Sequence, residues 1–342
     1  MKSAQWILKS HPKGQVAASD FECVDTEIGE PGDGQVLGKT LYLSMEAAMR
    51  RWIADSDEKG YRLRINEGDV MYGPSVIQVV KSRHPHFAEG DLLIGGTFGW
   101  REYVISSCEP TYLGDVKKLP EDMDPRLALS VLGGTGLAAY FGVVEAGGLK
   151  PGDKVLVSGA AGATGSVAVQ VARIMGAEKV VGIAGGPEKC RWLVEEAGCH
   201  GAVDYKNGDL LEQLVKEFPK GIDLYVDIVG GEILDTALLR MARKGRVAIC
   251  GNTSAYDGND EQKGPRNMFR VIAASLTIKG LIFDYMDRAD EALSNMAGWL
   301  KSGEMKAQLD VMDGFENAPS AFVRLFSGGN VGKQLVKIAD PA

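Results

Sequence analysis

Between Lys154 and Ala184 a short apolar run, KVLVS, is followed by GAAGATGSVAVQVARIMGA and then by a second apolar run, VVGIA. Glycines placed this way suit the binding of a dinucleotide pyrophosphate. Gly162 lets the backbone approach the phosphates and Gly165 lets a helix pack closely on the strand. The amides at Ala163, Thr164 and Gly165 open that helix at the end whose dipole favours an anion. Ala160 occupies the first position of the usual G-x-G-x-x-G fingerprint. Val167, Val171, Ile174 and Met175 recur at helical spacing, so the stretch reads as strand, turn, helix, strand. The alternative is a strand-turn-helix that holds no ligand.

The second strand ends Ile183-Ala184-Gly185-Gly186-Pro187-Glu188-Lys189. An NAD-specific site carries Asp or Glu at this strand end, about 20 residues after the glycines, to accept from the adenosine ribose. No carboxylate stands there, which leaves room at Gly185 for a 2′-phosphate. Lys189, one turn into the next helix, is a cation that could pair with it. NADP is therefore the expected cofactor. Glu188 competes as a ribose acceptor, and a solvated helix lysine is the alternative for Lys189.

These residues need a frame. From about residue 126 strands and helices alternate: a helix near Lys189 to Ala197, a strand Ala202 to Tyr205, and a helix Asp209 to Phe218. A strand Ile222 to Val229, a helix Glu232 to Ala242 and strands Arg246 to Cys250 and Ser275 to Phe283 follow. Near-continuous apolar strands alternating with helices imply a parallel sheet covered on both faces, a doubly wound Rossmann domain. The first 125 residues differ. Short candidate strands at Gln35 to Tyr42, Gly68 to Val70, Ser75 to Val80, Asp91 to Ile94 and Trp100 to Ile105, punctuated by Gly and Pro, suggest a mainly β, barrel-like module. A helix Ala289 to Ser302 leads to a β-like tail, GNVGKQLVKI, that rejoins it. The division expected is 1–125 with 300–342, and 126–299.

The 342 residues carry a net charge of −8 without a Lys/Arg block, which argues against nucleic-acid and anionic-membrane partners. There is no apolar run of 18 residues and no signal-like start, so a cytoplasmic location is the default. Five scattered cysteines without a C-x-x-C pair fit reduced thiols.

The β module, the glycine turn and the tail together resemble the medium-chain dehydrogenase/reductase superfamily. Within it the chain is similar to the zinc-free branch of prostaglandin reductases, alkenal double-bond reductases and curcumin-type reductases. Eight segments carry the resemblance in order: LYLSMEAAMR, TGLAAYFG, AAGATGSVAVQVA, GIAGGPEKC, VDIVGGEILD, VAICGNTSAY, GFENAPSAF and GGNVGK. It implies a GroES-like β domain beside the Rossmann domain. It also implies NADPH-dependent reduction of a carbon–carbon double bond conjugated to a carbonyl, an oxidoreductase acting on the CH–CH group of enones and enals. Lys189 and Tyr205 match positions at the 2′-phosphate. Cys250, Gly251, Asn252, Thr253, Ser254 and Tyr256 match a loop under the nicotinamide half, and Leu281, Ile282, Phe283 and Asn330 match further contacts there. Read without the resemblance, Tyr205 is a packing aromatic at a strand end and Asn330 a turn residue. Ile228 stands where relatives often carry an asparagine, leaving one cofactor contact open.

Zinc-dependent alcohol dehydrogenases of the superfamily use Cys, a His-Glu pair and a further ligand, with a separate four-cysteine lobe. Gly73-Pro74-Ser75 stands in place of the G-H-E motif and no cysteine cluster exists, so no metal is expected. His84-Pro85-His86 reads as an exposed loop. Hydride would attack the β-carbon of an activated alkene, leaving an enolate that needs hydrogen-bond donors. Ala48 replaces the tyrosine that relatives carry in this segment, so either a bulkier substrate fills the space or another donor serves. Tyr285 is the first candidate, beside Tyr256 and the cofactor's ribose hydroxyl; a packing aromatic is the alternative. Arg50 orients a substrate carboxylate or sits in an ion pair. Trp52, Phe98, Trp100 and Tyr140 line a pocket or fill core. The apolar Ser275 to Phe283 strand at a sheet edge suggests a homodimer. Two rivals remain, a quinone or carbonyl reductase on the same scaffold and a non-catalytic NADPH-binding protein.

Overall fold

The computed structural model describes residues 1–55, 64–111, 113–257, 264–281 and 285–342. They form two compact units. One comprises Met1–Leu129, the short stretch 256–258 and Leu309–Ala342; the other comprises Ser130–Ala255 and 259–308.

The first unit opens with strands β1 (Lys2–Leu8) and β2 (Phe21–Glu27), an antiparallel pair. The sequence reading has no strand here, because β2, FECVDTE with acids at Glu22, Asp25 and Glu27, reads as polar surface. Strand β3 (Val36–Ser44) runs into the short helix α1 (Met49–Trp52), followed by β4 (Ser75–Ser82), β5 (Leu92–Gly95), β6 (Tyr103–Ser106), β7 (Lys117–Lys118) and the one-turn helix α2 (Pro125–Ala128). The expected strand at Gly68 to Val70 is only a bridge from Val70 to Ile7.

The second unit begins with α3 (Gly134–Phe141), continued by a π-helical turn at Gly142–Ala146. It then alternates: β8 (Lys154–Val157), α4 (Ala163–Ile174), β9 (Lys179–Ala184), α5 (Pro187–Glu195), β10 (Gly201–Asp204), α6 (Leu210–Glu217) and β11 (Ile222–Asp227). After these come α7 (Gly231–Arg240), β12 (Met241–Ile249), α8 (Phe269–Ala273), β13 (Thr277–Gly280) and α9 (Ala289–Ser302). The chain returns to the first unit with β14 (Leu309–Asp313), α10 (Ala318–Arg324) and β15 (Lys333–Lys337).

In the second unit six parallel strands are ordered β10-β9-β8-β11-β12-β13, with the order of winding reversing between β8 and β11. Successive residues along these strands serve opposite cores. Val155, Val157, Leu224 and Val226 pack with α3, α4 and α9, while Leu156 and Tyr225 pack with α6 and α7. That alternation is why the strands read as continuous apolar runs. The helix expected to reach Ala242 ends at Arg240, because Met241 turns extended and pairs with Ile222 of β11. Buried Gln170 of α4 donates to the Lys306 carbonyl at 3.0 Å and accepts from the Lys306 amide at 2.8 Å. This tie keeps α9 and the turn after it in the second unit, so the division falls at 309 and not at 300.

In the first unit β15 pairs antiparallel with β3, Leu335 opposite Ser44, and joins a seven-stranded, mainly antiparallel sheet. Phe21, Trp100 and Phe322 meet with ring centroids 5.6–6.0 Å apart at its core. The contact joins residues from both ends of the chain, which explains why this unit is discontinuous. The α/β class with a mainly β second module therefore stands. No described helix is long and apolar enough to cross a membrane.

Candidate functional site

The glycine turn between β8 and α4 is tight. Gly159 takes φ 58°, a conformation that favours glycine, and its carbonyl accepts from the Gly162 amide at 2.9 Å. Gly159 thus makes the turn for which Ala160 was the expected position, and Ala160 instead is fully buried against the sheet. A methyl group on Gly165 would lie 2.7 Å from Ala160 Cα and overlap the Gly159 carbonyl, so only glycine lets α4 begin so close to β8. Gly162 caps the helix without a side-chain bond. The first-turn amides of Ala163, Thr164 and Gly165 have no intrahelical acceptor, as at the start of any helix, and no cap side chain takes one of them in this 12-residue helix. This is a cradle that fits a diphosphate.

A second corner forms where β9 and β10 end. Gly186 has φ 96° and donates to Asp204 Oδ1 at 2.9 Å. The Tyr205 ring lies close to Gly185, where a methyl would sit 2.9 Å from Tyr205 Cε1 and 2.9 Å from Lys206 Cε. Lys189 lies in the first turn of α5, directly after this corner. Burial disfavours the charged form of Asp204, but the Gly186 amide, the Asn207 side chain and the Lys206 amide outweigh it and hold the carboxyl below its usual range. The Asp204 charge is thereby engaged by donors of the two turns that meet here. Lys206 is a further cation at this corner that sequence reasoning missed; its only signal was adjacency to Tyr205.

Around the carboxyl ends of β11 and β12 the chain is laced by hydrogen bonds. The Cys250 amide donates to the Asp227 carbonyl at 2.7 Å, Thr253 N to Ile228 O at 3.2 Å, and Ser254 N to Val229 O at 3.0 Å. Gly251 approaches the Ile228 carbonyl, and Gly230 takes φ 74° against Asn252. A methyl on Gly142, in the π-helical turn, would lie 2.6 Å from Cys250 Sγ. Burial, then the charge of Asp227, pushes the Cys250 thiol up to about 12, so it is neutral at physiological pH and no nucleophile. Leu281 is half-buried nearby, its amide donating to Ile249 O at 2.9 Å. Ile282 and Phe283 lie outside the described residues. Tyr285 is half-buried, its ring 5.6 Å from that of Phe141, with the Lys279 ammonium 5.4 Å from its centroid.

Two of the residues assigned to the cofactor belong to the first unit. Tyr256 adjoins Asp257, and Asn330 donates from its own side chain to the Gly332 carbonyl at 2.8 Å, shaping a turn. Arg50 is resolved as an ion pair: its Nε lies 3.0 Å from Asp257 Oδ1, both side chains are buried, and Nη2 donates to the Gly14 carbonyl at 2.8 Å. It is not free to meet a substrate carboxylate. Trp52, Phe98, Trp100 and Tyr140 are all core, at most 8% exposed. His84 Nδ1 accepts from the His86 amide and its ring stacks on Phe87 at 4.7 Å, a loop arrangement. Among the described residues no group of three or more His, Cys, Asp or Glu could hold a metal.

Two family models match the chain, the N-terminal domain of oxidoreductase over residues 4–112 and zinc-binding dehydrogenase over residues 163–299. The NADPH-dependent curcumin reductase of Escherichia coli (strain K12) is 35% identical over 345 residues, spanning 99% of this chain and 97% of the relative. Prostaglandin reductase 1 of Bos taurus is 37% identical over 335 residues, spanning 97% and 98%. Among solved structures, that of CurA in complex with NADPH from Vibrio vulnificus has a TM-score of 0.91 at 33% identity, covering 99% of this chain and all of that one. The chain belongs to the medium-chain dehydrogenase/reductase family, in the zinc-free branch that holds the prostaglandin and curcumin reductases.

Proposed function

We propose that this chain reduces the carbon–carbon double bond of α,β-unsaturated ketones and aldehydes. It is an NADP-dependent oxidoreductase, and the observation that carries the reading is end-to-end similarity to NADPH-dependent reductases. Two features of the chain itself agree. The Gly185 corner has no ribose-accepting carboxylate at the strand end, and Gly73-Pro74-Ser75 offers no ligand set to polarise a carbonyl.

In this reading the amides of Gly162, Ala163, Thr164 and Gly165 take the pyrophosphate, and Lys189 and Tyr205, with Lys206, take the 2′-phosphate at Gly185. In the second unit Cys250, Gly251, Asn252, Thr253, Ser254 and Leu281 take the nicotinamide half; Tyr256, Ile282, Phe283 and Asn330 are assigned to it by the family resemblance alone. The bound cofactor supplies a hydride. At the substrate the hydride adds to the β-carbon, the double-bond electrons pass to the carbonyl oxygen as an enolate, and a proton reaches the α-carbon. Tyr285 donates to the enolate oxygen. Packing on Phe141 and the Lys279 ammonium over its ring hold the side chain in place. At Ala48 a bulkier substrate group takes the place of the tyrosine that relatives carry.

The assembly we propose is a homodimer through β13. Among the described residues this strand pairs only with β12, all four of its residues are exposed, and on the preceding helix α8 Phe269 is 74% and Ile272 75% exposed.

Three measurements test these statements. Lys189→Ala weakens NADPH binding by about 10- to 100-fold, the loss of one charge-assisted bond, and leaves NADH unchanged; Lys206→Ala shifts selectivity in the same direction but less, and equal losses for both nucleotides would remove the 2′-phosphate role. Tyr285→Phe lowers kcat with an enone on the order of 100-fold at unchanged NADPH affinity, whereas an unaltered rate moves the donor elsewhere. Light scattering gives the mass of two chains, and Phe269→Asp reduces it to one; a wild-type mass of one chain contradicts the dimer.

A further inference from the structure

We infer that Asp227 is the hub that shapes the floor of the cofactor site, a positioning residue that need not touch the cofactor itself. The inference rests on the NADP-binding reading above. Asp227 ends β11, and Ser158 follows β8; these neighbouring strands flank the point where the sheet reverses its winding, the place at which open α/β sheets bind ligands. Asp227 is wholly buried. Its Oδ1 accepts from Ser158 Oγ at 2.9 Å, Tyr225 Oη at 2.6 Å and the Gly230 amide at 3.0 Å, with the Val229 amide at 3.3 Å. Ser158 Oγ in turn accepts from the Ile228 amide at 2.9 Å. The turn after β8 and the turn after β11 are thus tied through one carboxylate and one hydroxyl.

The loop after β12 joins the same lattice. Its Cys250 amide donates to the Asp227 carbonyl, and both the Ser254 amide and Ser254 Oγ donate to Val229 O, the latter at 2.7 Å. The three turns interlocked here lead into the Gly162–Gly165 amides on one side and carry Cys250–Ser254 on the other. Asp227 therefore fixes the relative placement of the segments assigned to the pyrophosphate and to the nicotinamide half. Burial, followed by the Asp227 charge, pushes the Tyr225 hydroxyl well up, so it stays a donor throughout the working pH range.

Two further facts define how the lattice is held. Asp227 Oδ2 is buried with no hydrogen-bond partner among the described residues, so the carboxylate is committed to the lattice through Oδ1 alone. Ile228, where relatives often carry a cofactor-side asparagine, still contributes its amide and carbonyl to the lattice, so the backbone at this turn is held in place whatever its side chain.

The test compares wild type with Asp227→Asn, which keeps an acceptor oxygen of the same shape, and Asp227→Ala, which does not. Dissociation constants for NADPH and NADH are read from NADPH fluorescence and tryptophan quenching, alongside the ligand-free thermal midpoint. Asp227→Ala is expected to weaken both nucleotides by the same factor, at least tenfold, with Asp227→Asn recovering most of the loss. Should Asp227→Ala fail to fold, Ser158→Ala serves in its place. It is expected to weaken both nucleotides at least threefold and to speed hydrogen exchange at the amides of residues 228–230. A lowered midpoint with unchanged dissociation constants in the folded variants would reduce Asp227 to a structural residue and overturn the inference. A wild-type chain that binds no NADPH would sink the cofactor reading itself.

Discussion

Helix α4 can start against β8 only because residue 165 has no side chain, and the arrangement of the second unit's ligand-facing edge follows from that approach. A methyl at this position would overlap the Gly159 carbonyl, the same carbonyl that closes the turn by accepting from Gly162. With the helix seated, its free amides lie at the carboxyl edge of the central strand. Here the dipole of a 12-residue helix and the unpaired donors act on the same anion. The neighbouring strands then need only present turns of matching height.

Those turns are set by carboxylates that accept from the donors around them. Asp227 gathers the turns after β8 and β11, and Asp204 gathers the corner after β9 and β10 by accepting from Gly186 and Lys206. Each carboxylate spends its charge on backbone amides and hydroxyls of its own loops. The edge that faces outward is consequently left to glycines, Tyr205 and two lysines, Lys189 and Lys206. A negatively charged ligand is favoured there because the acidic residues have been recruited as framework. In the first unit buried ion pairs fix the segment around Ala48 in a comparable way. Lys333 pairs with Glu46 at 2.5 Å, and Arg50 with Asp257. Ala48, at the start of α1, thus sits between two anchored residues, Glu46 and Arg50.

Much of this was legible in the chain. Continuous apolar strands and helical spacing after Gly162 reveal the parallel sheet because both faces are buried and both periods are local. The tail GNVGKQLVKI reads as a returning strand, and β15 does pair with β3. What was not legible depends on tertiary partners. β2 exposes most of its residues and exists through its pairing with β1, so no apolar alternation marks it. The start of β12 at Met241 is imposed by Ile222 across the sheet, against the helical pattern that precedes it. At the site, the glycine that makes the turn is Gly159 and not the residue at the fingerprint's first position, a distinction visible only in its positive φ. Asp227 and Lys206 were missed for a related reason: an acid in VDIVGG or a lysine after Tyr205 gains its meaning from residues 20 to 70 positions away. The choice left open for Arg50 required knowing that Asp257 lies against it.

The central claim is that hydride goes to carbon and not to the carbonyl. The most direct measurement uses NADPH deuterated at C4 of the nicotinamide with an α,β-unsaturated ketone, the product being analysed by NMR and mass spectrometry. Deuterium at the β-carbon of a saturated ketone, in the same yield with and without chelator, is the predicted result. Deuterium on a carbinol carbon, with the double bond intact, would contradict the account.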